Sequence, residues 1–113
     1  MHELAIAQGI LDIALSTAVN HNANSVLGVK VIVGELTGTV PEALEFGFVA
    51  LAKGTMAENA CLSIRIIPLT GHCRDCGSQS SIDKYCFACA SCGSHAVEII
   101  TGRELKVESV EVE

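Results

Sequence analysis

Two stretches of this chain have the residue types and the spacing to grip a metal ion. Cys73-Arg74-Asp75-Cys76-Gly77 and Cys89-Ala90-Ser91-Cys92-Gly93 both read C-x-x-C-G, with twelve residues between Cys76 and Cys89. Four thiolates so spaced can close a tetrahedral shell around one Zn²⁺. Each glycine falls where the chain must turn back over the metal, a place that often needs positive φ. A closed shell leaves no position for water or substrate, so the expected role is structural and no catalytic residue is expected. A single redox iron also accepts four thiolates, so zinc and iron both remain open from the donor set.

A fifth cysteine competes for a place, because Cys86-Phe87-Ala88-Cys89 is a further C-x-x-C. Gly93 follows Cys92 as Gly77 follows Cys76, whereas Ala90 follows Cys89. The glycine therefore favours Cys73, Cys76, Cys89 and Cys92 as the zinc ligands. Cys86 is then a spare thiol or an alternate ligand. Cys61 opens an apolar strand and is expected to be a small buried hydrophobe. His72 and His95 flank the knuckles, and His21 falls at the end of a helical pattern.

A different chemistry stands at the other end, in Met1-His2-Glu3. An α-amino nitrogen, the backbone nitrogen of His2 and its imidazole can form fused chelate rings, a donor set suited to Ni²⁺ or Cu²⁺. Taken alone, a histidine at position 2 is an ordinary surface residue. Glu3 equally fits a helix N-terminus, where the helix dipole favours a carboxylate.

The elements that must position these groups are legible from periodicity. Residues 3–19 place Leu4, Ala7, Leu11, Ala14 and Ala18 on one helical stripe, with Ile6, Ile10 and Ile13 beside it. Val26–Val33 reads as a strand. A second helix is expected from Thr39-Val40-Pro41-Glu42, where Pro41 suits a first turn and Thr39 with Glu42 has capping-box spacing. It runs through Leu44, Phe48 and Leu51 to a stop at Gly54. Cys61–Ile67 alternates as a half-buried strand closed by Pro68. Val97–Ile100 and Leu105–Val112 read as strands about a Thr101-Gly102-Arg103 turn, with a change of phase at Ser109 that hints at a bulge.

The expected fold is α/β. A small unit of two helices and mainly three strands spans residues 1–68 and is completed by a returning strand at 104–113. A zinc-ribbon-like four-cysteine domain with its linker, residues 69–103, is inserted in it. That insert is poor in large apolar residues, so metal binding must supply much of its folding free energy, on the order of 10–16 kcal/mol in small zinc modules.

At 113 residues the chain has room for one domain or a small domain carrying a smaller one. A formal net charge of −6 argues against a nucleic-acid partner, which needs Lys and Arg for phosphate contacts. Residues 1–19 carry Glu3 and Asp12 and lack a basic start, so no secretory leader is expected. No apolar run approaches the ~18–20 residues of a membrane span. A cytoplasmic location follows as the expectation, with the cysteines reduced or metal-bound.

Met1-His2-Glu3, Gly34-Glu35-Leu36, the segment from Gly54-Thr55 to Ala60, the two knuckles and Gly102-Arg103-Glu104-Leu105 occur in that order. This combination resembles the HypA/HybF family, nickel metallochaperones of [NiFe]-hydrogenase maturation, over essentially the whole chain. The resemblance implies nickel binding at Met1, His2 and Glu3, with His2 the essential side chain. It implies structural zinc on Cys73, Cys76, Cys89 and Cys92, and the first unit as the nickel-binding domain. It implies delivery of Ni(II) to the hydrogenase large-subunit precursor together with a HypB-type GTPase. Some family members also serve urease maturation. Cys86 lies outside the family's four-cysteine pattern. A homodimer through exposed apolar strands is a further expectation. The rival readings are a zinc-ribbon interaction module with no nickel role and a small iron–thiolate electron carrier.

Overall fold

The computed structural model of the protein describes residues 3–113. The chain is α/β. Helix α1 spans Glu3–Asn20 and strand β1 Val26–Gly34, followed by one 3₁₀ turn at Glu35–Thr37. Helix α2 spans Pro41–Ala52, and the strands are β2 (Cys61–Ile67), β3 (Thr70–Cys73), β4 (Gln79–Ser81), β5 (Val97–Thr101) and β6 (Leu105–Val112). They form two sheets of three strands, ordered β2-β1-β6 and β4-β3-β5.

The chain divides into two compact units. One holds the described residues up to Ile32 with Thr39–Arg65 and Lys106–Glu113, and the other holds Val33–Gly38 with Ile66–Leu105. In the first, α1 buries Ala7, Ile10, Leu11, Ala14 and Ala18, close to the stripe expected from the sequence. Leu4 and Ile13 are the departures, both at least half exposed. Small side chains let α2 come close: a Cβ on Gly47 would lie 3.5 Å from the Cβ of Ala7. Leu44, Phe48 and Ala52 of α2 complete the core with Val26, Val29, Val31 and Ile32 of β1.

Two local expectations need correction. The capping box does not form. Val40 is the N-cap of α2 and receives no side-chain cap bond, while Pro41 occupies the first turn. The Val40 N–H instead donates to the carboxylate of Glu3 at 3.2 Å. Thr39 is buried. Cys61 is exposed, not buried. It opens β2, an edge strand, and Leu62 takes the inward position. The last strand returns to the first sheet as expected, so β5 and β6 do not pair despite the short turn between them. β5 joins β3, whereas β6 joins β1. Hydrogen bonds between Ser25 and Glu113 at one end and from Gly34 to Glu104 at the other run β1 and β6 antiparallel. The inward phase of β6 shifts between Val107 and Val110, with Glu108 and Ser109 both exposed.

The second unit is built on β3, which pairs antiparallel with β4 (Gly71 opposite Ser80) and with β5 (Cys73 opposite Val97). Its buried apolar set is small: Val33, Leu69, Ile82 and the thiols of Cys73 and Cys89. The entrance to this unit is tight. A Cβ on Gly34 would stand 2.1 Å from the carbonyl oxygen of Gly102, so the two backbones can meet only without a side chain there.

Candidate metal centre

The two knuckles fold alike because they repeat one hydrogen-bond pattern. The Gly77 N–H donates to the Cys73 carbonyl and the Gly93 N–H to the Cys89 carbonyl, each at 2.9 Å. The Cys73 N–H donates to the Ser78 carbonyl at 2.9 Å, and the Cys89 N–H to that of Ser94 at 2.8 Å. Gly77 and Gly93 have φ of 75° and 77°, the left-handed turn that glycine adopts without steric cost. Each knuckle thereby turns its two sulfurs to the same side.

The result is a cluster. The Sγ atoms of Cys73, Cys76, Cys89 and Cys92 all lie within 4.8 Å of one another. Cys73 and Cys92 are 3.7 Å apart, and Cys76 and Cys89 are 3.5 Å apart. Metal–sulfur bonds of about 2.3 Å in a tetrahedron set sulfurs about 3.8 Å apart. The donor set and its spacing therefore fit one tetrahedral thiolate-bound ion. All six cysteines are free, and the cluster spacing is far beyond a disulfide bond of about 2.05 Å. Cys73 and Cys89 are buried, while Cys76 and Cys92 are exposed.

Polar groups around the sulfurs favour the thiolate form. The Ser78 hydroxyl lies 3.0 Å from Cys76 Sγ and 3.5 Å from Cys89 Sγ. The Ser91 N–H donates to Cys89 Sγ at 3.3 Å. Cys89 is accordingly drawn down to about 5, first by the Ser78 hydroxyl and then by the N–H groups of Cys92 and Ser91. Cys76 is lowered as well, mainly by the side chain and backbone of Ser78. Cys92 moves the other way. The Ser94 N–H pulls it down, but Cys73, burial and the remaining thiols outweigh that and push it up to about 12. Three sulfurs crowd the fourth, so a metal-free cluster holds on to a proton. A bound dication removes that obstacle.

Ser78 and Ser94 were missed by the sequence reading. The signal was present, since both knuckles continue one residue further as C-x-x-C-G-S. The Ser94 hydroxyl donates to the Asp75 carboxylate and accepts the Ala96 N–H at 3.0 Å, tying the second knuckle to the first.

The other candidates lie apart from this group. Cys86 is exposed and forms an isolated bridge with Asp83. The His95 ring meets the Phe87 carbonyl through Nδ1 at 2.9 Å. A carbonyl can only accept, so Nδ1 carries the proton there. His72 sits in β3 opposite Gln79 and Glu98. His21 closes α1, with Nδ1 3.0 Å from the Thr17 carbonyl. Of the nickel candidates, Met1 and His2 lie outside the described residues. Glu3 begins α1 and bonds the Val40 N–H.

Residues 1–112 match the family described as "Hydrogenase/urease nickel incorporation, metallochaperone, hypA". The chain belongs to the HypA family. Relatives agree over the full length. The "Hydrogenase maturation factor HypA" of Desulfitobacterium hafniense (strain DSM 10664 / DCB-2) is 38% identical over 113 residues, covering 100% of this chain and 99% of the relative. That of Geobacter sulfurreducens is 39% identical and covers 100% of both chains. The fold also matches the solution structure of the Ni metallochaperone HypA from Helicobacter pylori, with a TM-score of 0.67 at 22% identity over 99% of this chain and 97% of that one. A second match, to the "Solution structure of HypA protein", has a TM-score of 0.71 at 22% identity over 100% and 97%. HypA membership places the chain among nickel-incorporation metallochaperones of hydrogenase maturation, a family described by metal insertion and not by catalysis. Among the described residues no helix is long and apolar enough to cross a membrane.

Proposed function

We propose that this chain carries Ni(II) on its Met1-His2-Glu3 segment and delivers it to the [NiFe]-hydrogenase large-subunit precursor, acting with a HypB-type GTPase in the cytoplasm. Cys73, Cys76, Cys89 and Cys92 hold a structural Zn²⁺. The full-length family match is the observation that carries this reading. The cluster geometry supports its division of labour. Four thiolates around one ion leave no vacancy, and thiolate-bound zinc is held tightly. A metal meant for transfer is better served by a separate, weaker and exposed set of donors.

At that second site the Met1 amino nitrogen, the His2 backbone nitrogen and the His2 imidazole supply the donors. Glu3 ties the segment to the start of α2 through its bond to the Val40 N–H. The small buried set around Leu69 and Ile82 explains why the zinc unit needs its own metal.

The test is a competition titration of Ni²⁺ on zinc-loaded, untagged protein beside the His2→Ala variant. Wild type should bind about one nickel, and the variant should lose it while keeping zinc. Equal nickel binding by both proteins, or by neither, would leave a zinc-ribbon interaction module as the better account.

A further inference from the structure

The outward face of α2 serves no need of the fold. Leu44, Phe48 and Ala52 point to the core, whereas Glu42, Glu45, Phe46 and Val49 line a groove of about 340 Å³ on the exposed side. Phe46 is 78% exposed and Val49 46%. A lone exposed apolar residue is ordinary, but an aromatic ring with a second apolar residue one turn on, set in a groove, is a recognition surface.

Charge narrows what can fill it. Glu42 and Glu45 line the same groove as the two apolar side chains. Helices α1 and α2 together carry Glu3, Asp12, Glu42 and Glu45 and no Lys or Arg, and Lys53 stands beyond the last residue of α2. We propose that this groove docks an amphipathic helical segment of a partner protein, which seats an apolar side chain against Phe46 and Val49 and sets Lys or Arg beside Glu42 and Glu45. Helical ridges match grooves formed at i, i+3 and i+4 spacing. A second copy of this chain is a poor occupant. A two-fold contact through this face would gather four carboxylates, Glu42 and Glu45 from each copy, in one interface with no cation from either groove lining, and like charges across an interface repel. An anionic lipid surface is disfavoured for the same reason.

The probe is a synthetic helical peptide with a leucine stripe flanked by lysines, titrated into zinc-loaded, ¹⁵N-labelled full chain. A control peptide replaces every lysine with glutamate. The lysine peptide should shift the amide signals of residues 42–49, bind more weakly as salt rises, and lose about tenfold in affinity on Phe46→Ala or on the double change Glu42→Lys with Glu45→Lys. These side chains are exposed, so an unchanged melting temperature checks that the variants fold. Absence of binding, equal binding of both peptides, or shifts centred elsewhere would overturn the proposal. So would Phe46-dependent self-association in sedimentation, which would make a second copy the occupant.

Discussion

Substituting Gly93 by alanine isolates one physical quantity in the metal centre. Gly93 has φ of 77°, and a Cβ built there meets nothing within 4 Å. Sterics with neighbours therefore contribute nothing, and the cost is that of holding an L-residue in the left-handed region, about 1–2 kcal/mol. Zinc binding and folding of this unit are linked, so the cost should appear as a fall of about 5–30-fold in zinc affinity, measured against a chromophoric chelator. Gly77, with φ of 75° and the same open surroundings, should behave alike. Gly9 provides the opposite sign. It lies inside α1, also with nothing within 4 Å of a built Cβ, but without a positive φ. Gly9→Ala should raise thermal stability by about 0.5–1 kcal/mol and leave zinc affinity unchanged. Unaltered zinc affinity in Gly93→Ala, or destabilisation by Gly9→Ala, would refute the assignment of the knuckle glycines to backbone conformation.

The two proposed metal sites should separate with pH. Only deprotonated imidazole and amine bind metal, so between pH 7.5 and 6 nickel affinity should fall ~4-fold from an imidazole of pKa ~6.5 and ~80-fold if an amine of pKa ~7.8 is also a ligand. Zinc should stay bound over that range, because four thiolates closed around one dication hold it more tightly than an exposed pair of nitrogen donors holds nickel; zinc lost before nickel on acidification would contradict this. Protein as purified should be colourless with about one zinc, whereas a red iron–thiolate chromophore would favour the electron-carrier reading. Removing the zinc with a chelator should disorder the second unit while the helical circular dichroism of α1 and α2 persists. Phe48→Ala, which empties a fully buried ring position in the first unit, should cost about 3–5 kcal/mol in denaturant unfolding.

Features set by near neighbours were readable from the residues alone. The knuckles are such features, because C-x-x-C-G closes its own turn through bonds four and five residues apart. The α1 stripe is another, since 3.6-residue periodicity alone aligns Ala7, Leu11, Ala14 and Ala18. The order α1, β1, α2, β2, β5 and β6 followed from the same local signals, whereas β3 and β4 in the cysteine segment carried no such signal. Tertiary structure decided what depends on distant partners. The Val40 N–H is met by Glu3, 37 residues away, in place of a local capping box. Cys61 is exposed because β2 lies at a sheet edge, and strand order is not written in the strand itself. Among three C-x-x-C pairings on the chain, convergence in space brings Cys73, Cys76, Cys89 and Cys92 within 4.8 Å. β5 and β6, neighbours along the chain, part into different sheets because each pairs with a strand far from it in sequence. Local backbone preferences act within a few residues, whereas pairing and burial are settled only when remote segments meet.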